Sequence, residues 1–206
     1  MCKYDELRLK TDTELIQVID RELTLALNFV FQAVDSLDHL GFLGRSYFQA
    51  ERACKIAPWS IWISYSLDLR FWGESQLIMR PEPYHWDEMK IGPGAPPIKT
   101  DQGWLSIYHG VFQTMDGSVY RLGVALHDLQ NPAKIIGVGD SWILQPEDSW
   151  EVTGYVHNVV FTCGAVPESD GTVKIYWGGA DTVMCAGEAN ISDLVTLCLK
   201  RSRSAK

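Results

Sequence analysis

The chain has 206 residues, 46% hydrophobic and 21% charged, the balance of a soluble globular protein with room for one good core or a small domain beside a larger one. Its formal net charge is −8 without a basic stripe, which disfavours a nucleic-acid role. The five cysteines are widely spaced with no C-x-x-C, and the five histidines lack ligand spacing, so neither a disulfide framework nor a metal site is indicated.

Met1 leads directly into Cys2-Lys3-Tyr4-Asp5 without an apolar signal core, and no apolar run approaches the about 18 residues of a membrane span. A reduced, cytoplasmic protein with no membrane partner is the expectation. Residues 1–57 read as a helical hairpin. Thr11-Asp12-Thr13-Glu14 fits a capping box, in which hydroxyl and carboxylate satisfy the free amides of a helix start. Leu15, Ile19, Leu23, Ala26, Val30 and Val34 then recur at helical spacing. Gly41 and Gly44 interrupt the pattern, and Arg45 to Lys55 forms a second candidate helix ending before Pro58. Such a hairpin exposes too much apolar surface to stand alone and must dock on the rest of the chain or on a partner.

From Trp59 the pattern changes to short β-rich runs: Ile61–Tyr65, Gly103–Val111, Val119–Leu126, Val159–Ala165 and Val173–Trp177. Turn signals separate them, among them Asp116-Gly117, Asn131-Pro132 and Asp170-Gly171; Asp-Gly between alternating runs favours a tight hairpin. Strands spaced this regularly argue for an all-β sandwich or a propeller, and periodicity alone does not choose between them. The eight Trp and eight Tyr offer flat apolar surface with a polar edge, suited to sugar rings and equally to cross-strand packing. Lys200, Arg201, Arg203 and Lys206 read as a solvated basic tail over residues 200–206. The neighbouring carboxylates Asp87-Glu88 and Glu147-Asp148 read as surface charge, because adjacent residues on an extended strand face opposite ways.

Six blocks stand in order over roughly 130 residues: Ile61-Trp62-Ile63-Ser64-Tyr65-Ser66-Leu67-Asp68-Leu69 with Phe71-Trp72-Gly73; Ile91 to Thr100, containing Pro96-Pro97-Ile98-Lys99; Gly103-Trp104-Leu105 with Tyr108-His109-Gly110-Val111; Tyr120-Arg121-Leu122-Gly123; Tyr155 to Phe161 with Cys163-Gly164; and Tyr176 to Thr182. Together they resemble glycoside hydrolase family 130, the mannoside phosphorylases and their relatives. The resemblance implies a mainly β chain: the C-terminal part of a five-bladed propeller, about two to three blades over residues 58–199, preceded by the helical hairpin.

The resemblance also implies inverting cleavage of β-mannosides with inorganic phosphate as nucleophile and no cofactor. Lys99, His109, Arg121 and Tyr120 would bind phosphate, and Asp181, Asn158, Phe161 and Tyr108 would line the sugar pocket. Such chemistry needs a cationic cradle, acceptors for hydroxyls and an acid for the leaving oxygen. The same residues also have ordinary readings: Lys99 as a solvated loop residue, His109 as a core histidine, Asp181 as a turn residue. The family's general acid lies in an Asp-Pro-Arg-type segment of an early blade, and no Asp-Pro-Arg occurs in this chain. His157 also stands where the family normally has proline. Two functions therefore follow from the sequence. One is a phosphorylase-related protein acting on or binding β-mannosides, with a homo-oligomer or complementing chain at exposed blade edges. The other is a noncatalytic module for sugar binding or protein interaction.

Overall fold

Residues 40–44, 59–66 and 73–200 are described in a computed structural model. Three antiparallel sheets follow one another along the chain. The first holds β1 (Leu40–Gly44), β2 (Ile61–Ser66) and β3 (Gly73–Met79), in that spatial order. The strand Leu40–Gly44 corrects part of the sequence reading. Where the two glycines were expected only to break a helical pattern, the backbone pairs with β2, Leu40 opposite Ser66 and Gly44 opposite Trp62. The helices expected on either side, carried by the Leu15 to Val34 stripe and by Arg45 to Lys55, lie outside the described residues.

The central sheet comprises β4 (Lys90–Pro93), β5 (Ile98–Lys99), β6 (Trp104–Thr114), β7 (Gly117–His127) and β8 (Ile135–Val138). Both β4 and β5 pair with β6, so together they form one edge line interrupted by the Pro-Gly segment between them. The β6–β7 hairpin is the longest ladder, in register from Trp104↔His127 to Thr114↔Gly117. It turns over Met115-Asp116 into Gly117, whose φ of 128° is a conformation L side chains rarely adopt, as the Asp-Gly signal predicts.

The third sheet holds β9 (Val160–Pro167), β10 (Thr172–Gly179) and β11 (Val183–Asn190), with β10 in the middle. Asp170-Gly171 makes its first turn: Gly171 sits at φ 88°, and Asp170 Oδ1 accepts hydrogen bonds from the Thr172 amide (3.0 Å) and hydroxyl (2.7 Å). Two short helices complete the described residues, α1 (Ser149–Val152) before β9 and α2 (Ile191–Lys200) after β11.

The two faces of the β6–β7 ladder are both covered, which is why its alternation is apolar on each side. One face brings Tyr108 and Ala125 against Ile61, Met79, Trp86 and Ile91. The other brings Leu105, Ile107, Leu122, Val124 and Leu126 against Val160, Val173, Ile175 and Trp177 of the third sheet. Leu194, Val195 and Cys198 of α2 close this second core. The fit is tight: a Cβ on Gly137 would lie 2.4 Å from the Cys198 carbonyl oxygen. Burial pushes the Cys198 thiol up to about 12, so it packs as an apolar group. Lys200, expected in a frayed tail, is the last residue of α2, and residues 201–206 lie outside the description. No helix of the described residues is long and apolar enough to cross a membrane.

Candidate functional site

Side chains alternate across a strand, so Tyr108 and His109 leave β6 on opposite faces, as do Tyr120 and Arg121 on β7. His109 is buried on the face toward the third sheet. Its ring lies 4.4 Å from that of Phe161 on β9, and 6.1 Å from that of Tyr120 in a near-parallel stack. Gly92 makes this placement feasible, since a Cβ there would come within 2.4 Å of the imidazole. Asn158 joins the group through its backbone, its carbonyl accepting a 2.9 Å hydrogen bond from the Tyr120 amide.

A cation completes this cluster, and it is not the one the motif pointed to. Lys90 sends its Nζ to 4.7 Å from the centre of the Tyr120 ring and 5.9 Å from that of Trp59. Lys99 is exposed, its Nζ 5.6 Å from the Trp104 ring. It pairs with Trp104, five residues along β6 from His109, a separation of about 16 Å at the strand rise of about 3.3 Å per residue. The convergence expected of Lys99 with His109 is therefore not formed. Lys90 had a signal available: it lies opposite Val111 and hence on the face of Tyr120, but that follows only once the β4–β6 register is known.

Arg121 likewise departs from the cluster. Its guanidinium stacks 4.5 Å over Trp142, and Nε donates to Gln145 Oε1 at 3.4 Å, both on the opposite face. Partial burial holds its pKa below the ordinary arginine value. Tyr108, expected at the sugar pocket, is 1% exposed, stacked on Trp86, with its hydroxyl donating to Asp87 Oδ2 at 3.0 Å. Asp87, read from sequence as surface charge, is wholly buried, because the Tyr108 hydroxyl and His85 Nδ1 (3.2 Å) compensate its removal from water. Glu147 and Asp148 are exposed.

Asp181 is exposed at the end of β10, with φ 51°, beside Ala180 at φ 46°. This turn locks onto the one that carries Asn158, itself at φ 58°. Val156 N donates to Ala180 O (3.1 Å), Ala180 N to Val159 O (2.9 Å), and Tyr155 N to the Thr182 hydroxyl (2.9 Å). Below them Glu151 acts as an anchor that sequence reading missed. One of its oxygens accepts the Trp177 indole N–H at 2.9 Å, and the other accepts the amides of Glu147 (3.0 Å) and Asp148 (3.2 Å). Three non-glycine residues take left-handed conformations within two adjoining turns; Asn158 and Asp181 are types that tolerate that region, and Ala180 is the strained one.

The arrangement is thus a mainly β scaffold that brings together, at one end of its central and third sheets, a lysine, a buried histidine, two aromatic rings and the turns bearing Asn158 and Asp181. Such a set can hold an anion beside a polyhydroxylated ring. The chain belongs to glycoside hydrolase family 130, whose family model, described as beta-1,4-mannooligosaccharide phosphorylase, matches residues 44–200. It is 44% identical over 134 residues to a 1,2-beta-oligomannan phosphorylase of Thermoanaerobacter sp. (strain X514), covering 65% of this chain and 44% of the relative. It is 51% identical over 122 residues to a beta-1,2-mannobiose phosphorylase of the same organism, covering 59% and 39%. A solved beta-1,2-mannobiose phosphorylase from Listeria innocua, in complex with beta-1,2-mannobiose, superimposes with a TM-score of 0.64 at 36% identity, over 69% of this chain and 39% of that one. The chain therefore spans about two fifths of the length of the relatives it matches.

Proposed function

We propose that these residues form the phosphate- and mannoside-facing part of a β-mannoside phosphorylase, as about two to three blades of a five-bladed propeller. The observation that carries this reading is the run of contacts from Lys90 to Tyr120, from Tyr120 to His109 and from His109 to Phe161. Lys90 supplies positive charge to inorganic phosphate, and its contact with the Tyr120 ring holds the ammonium in place. The buried His109 ring, packed between Phe161 and Tyr120, helps fix the Tyr120 ring on which the ammonium lies. Asp181 and Asn158 hold hydroxyls of the mannosyl unit, with Phe161 against its apolar face. In phosphorolysis a phosphate oxygen attacks the anomeric carbon as the glycosidic bond to the leaving sugar breaks, with inversion and without a cofactor. Turnover needs a proton for the leaving oxygen; without an Asp-Pro-Arg in the chain, this acid comes from another part of a complete propeller or from a complementing chain.

Calorimetric titration of the 206-residue chain with inorganic phosphate and with mannose tests the proposal. Both are expected to bind, mannose affinity falling at least tenfold in Asp181→Ala while phosphate affinity is retained. Absence of binding of either by the wild-type chain sinks the reading.

A further inference from the structure

The turn formed by residues 154–158 is held from several directions. The Tyr155 amide is tied to Thr182 Oγ1, the Val156 amide to the Ala180 carbonyl, and the Asn158 amide to the Val152 carbonyl at 3.2 Å; the Asn158 carbonyl in turn accepts from Tyr120. Gly154 has no room for a side chain, since a Cβ would lie 2.5 Å from Thr182 Oγ1 and 2.6 Å from the Ala180 oxygen. A turn fixed this firmly nevertheless carries an aromatic ring almost wholly in water: Tyr155 is 88% exposed. These hydrogen bonds fix its backbone, and a tyrosine has only two side-chain torsions to immobilise, so a large flat surface is presented at modest entropic cost.

From this geometry we infer that Tyr155 is the stacking platform for the second hexose of a β-linked manno-oligosaccharide, one ring beyond the mannosyl unit held at Asn158 and Asp181. The inference rests on the function proposed above. Its reach is right for an adjoining ring. Tyr155 and Asn158 are three positions apart, so their Cα atoms are at most about 10 Å apart. The hydrogen bond between Tyr155 N and Thr182 places the same residue beside the Asp181 turn. The tyrosine face meets the apolar C–H face of the sugar, and its hydroxyl remains available to a ring substituent. Tyr155 is then a specificity residue that distinguishes oligosaccharide from monosaccharide and leaves phosphate binding untouched.

Binding of mannose, β-1,2-mannobiose, β-1,4-mannobiose and inorganic phosphate to the 206-residue chain, followed by calorimetry, separates this role from a structural one. Tyr155→Ala is expected to weaken at least one mannobiose about three- to tenfold, the range of an aromatic contact, leaving mannose and phosphate unchanged. Tyr155→Phe is expected to keep most of the disaccharide affinity. The inference is overturned if Tyr155→Ala leaves both mannobioses unaffected, or weakens mannose as much as the disaccharides. A wild-type chain that binds no mannose overturns this inference together with the proposed function, whereas mannose binding with indifferent Tyr155 variants overturns this inference alone.

Discussion

Tyr108 and His109 adjoin on β6, and Tyr120 and Arg121 adjoin on β7, yet each pair is divided between two environments. On one face Tyr108, Trp86 and Asp87 form a closed knot, with Arg121 stacked on Trp142 nearby. On the other, His109 and Tyr120 meet Phe161 and Lys90 at an end of the sheet. The first face is a stability device, because its carboxylate is buried and must be compensated. The second is the candidate binding face, because its cation lies on an aromatic ring and is half-buried rather than sealed. Residues in one sequence motif therefore need not share one task.

Removing Asp87 should have the largest effect on this division. Asp87→Ala leaves the buried Tyr108 hydroxyl without its acceptor and opens a void, and should cost about 3 kcal/mol in denaturant unfolding. Next comes Gly92→Ala. Its Cβ forces the His109 ring to move, with an expected loss of about 2 kcal/mol and of phosphate affinity; unchanged affinity would show that the ring position is unimportant.

Charge removal sharpens the contrast without disturbing the core. Lys90→Ala should lower phosphate affinity about tenfold, while Lys99→Ala, at the far end of β6, should change it less than about twofold. The reverse order in calorimetry would move the anion site to the Lys99 end.

The smallest expected effect concerns pH. His127 lies at that end, its Nδ1 donating to the Pro132 carbonyl at 2.8 Å and its Nε2 accepting from the Ser106 hydroxyl at 2.9 Å. Burial lowers its pKa below 6.5, so the unfolded state binds the proton more readily. This contribution to stability is complete above about pH 6.5 and is lost as the pH falls below it. The unfolding midpoint should decline on acidification, and His127→Gln should flatten that slope.

Much of this was legible in sequence. Five β runs lie where strands form, and both Asp-Gly turns carry a glycine at positive φ. The helix α2 was not among the expected elements, although Ile191, Leu194, Val195 and Cys198 stand at helical spacing. In contrast, β11 reads Val-Met-Cys-Ala-Gly-Glu-Ala-Asn, with no clean alternation, so its pairing with β10 has no local signal. The pairing of Leu40–Gly44 with β2 is equally invisible, because it depends on a partner some twenty residues away.

By itself the sequence determined the family, the mainly β character and the rule that neighbours such as Tyr120 and Arg121 face apart, since these follow from motif order and local backbone geometry. Tertiary structure decided which neighbour faces the site, that Lys90 rather than Lys99 reaches His109's cluster, and that Asp87 is buried. Those outcomes depend on strand register and on which sheet covers each face. Register is set by contacts between residues distant along the chain, and no local pattern encodes it.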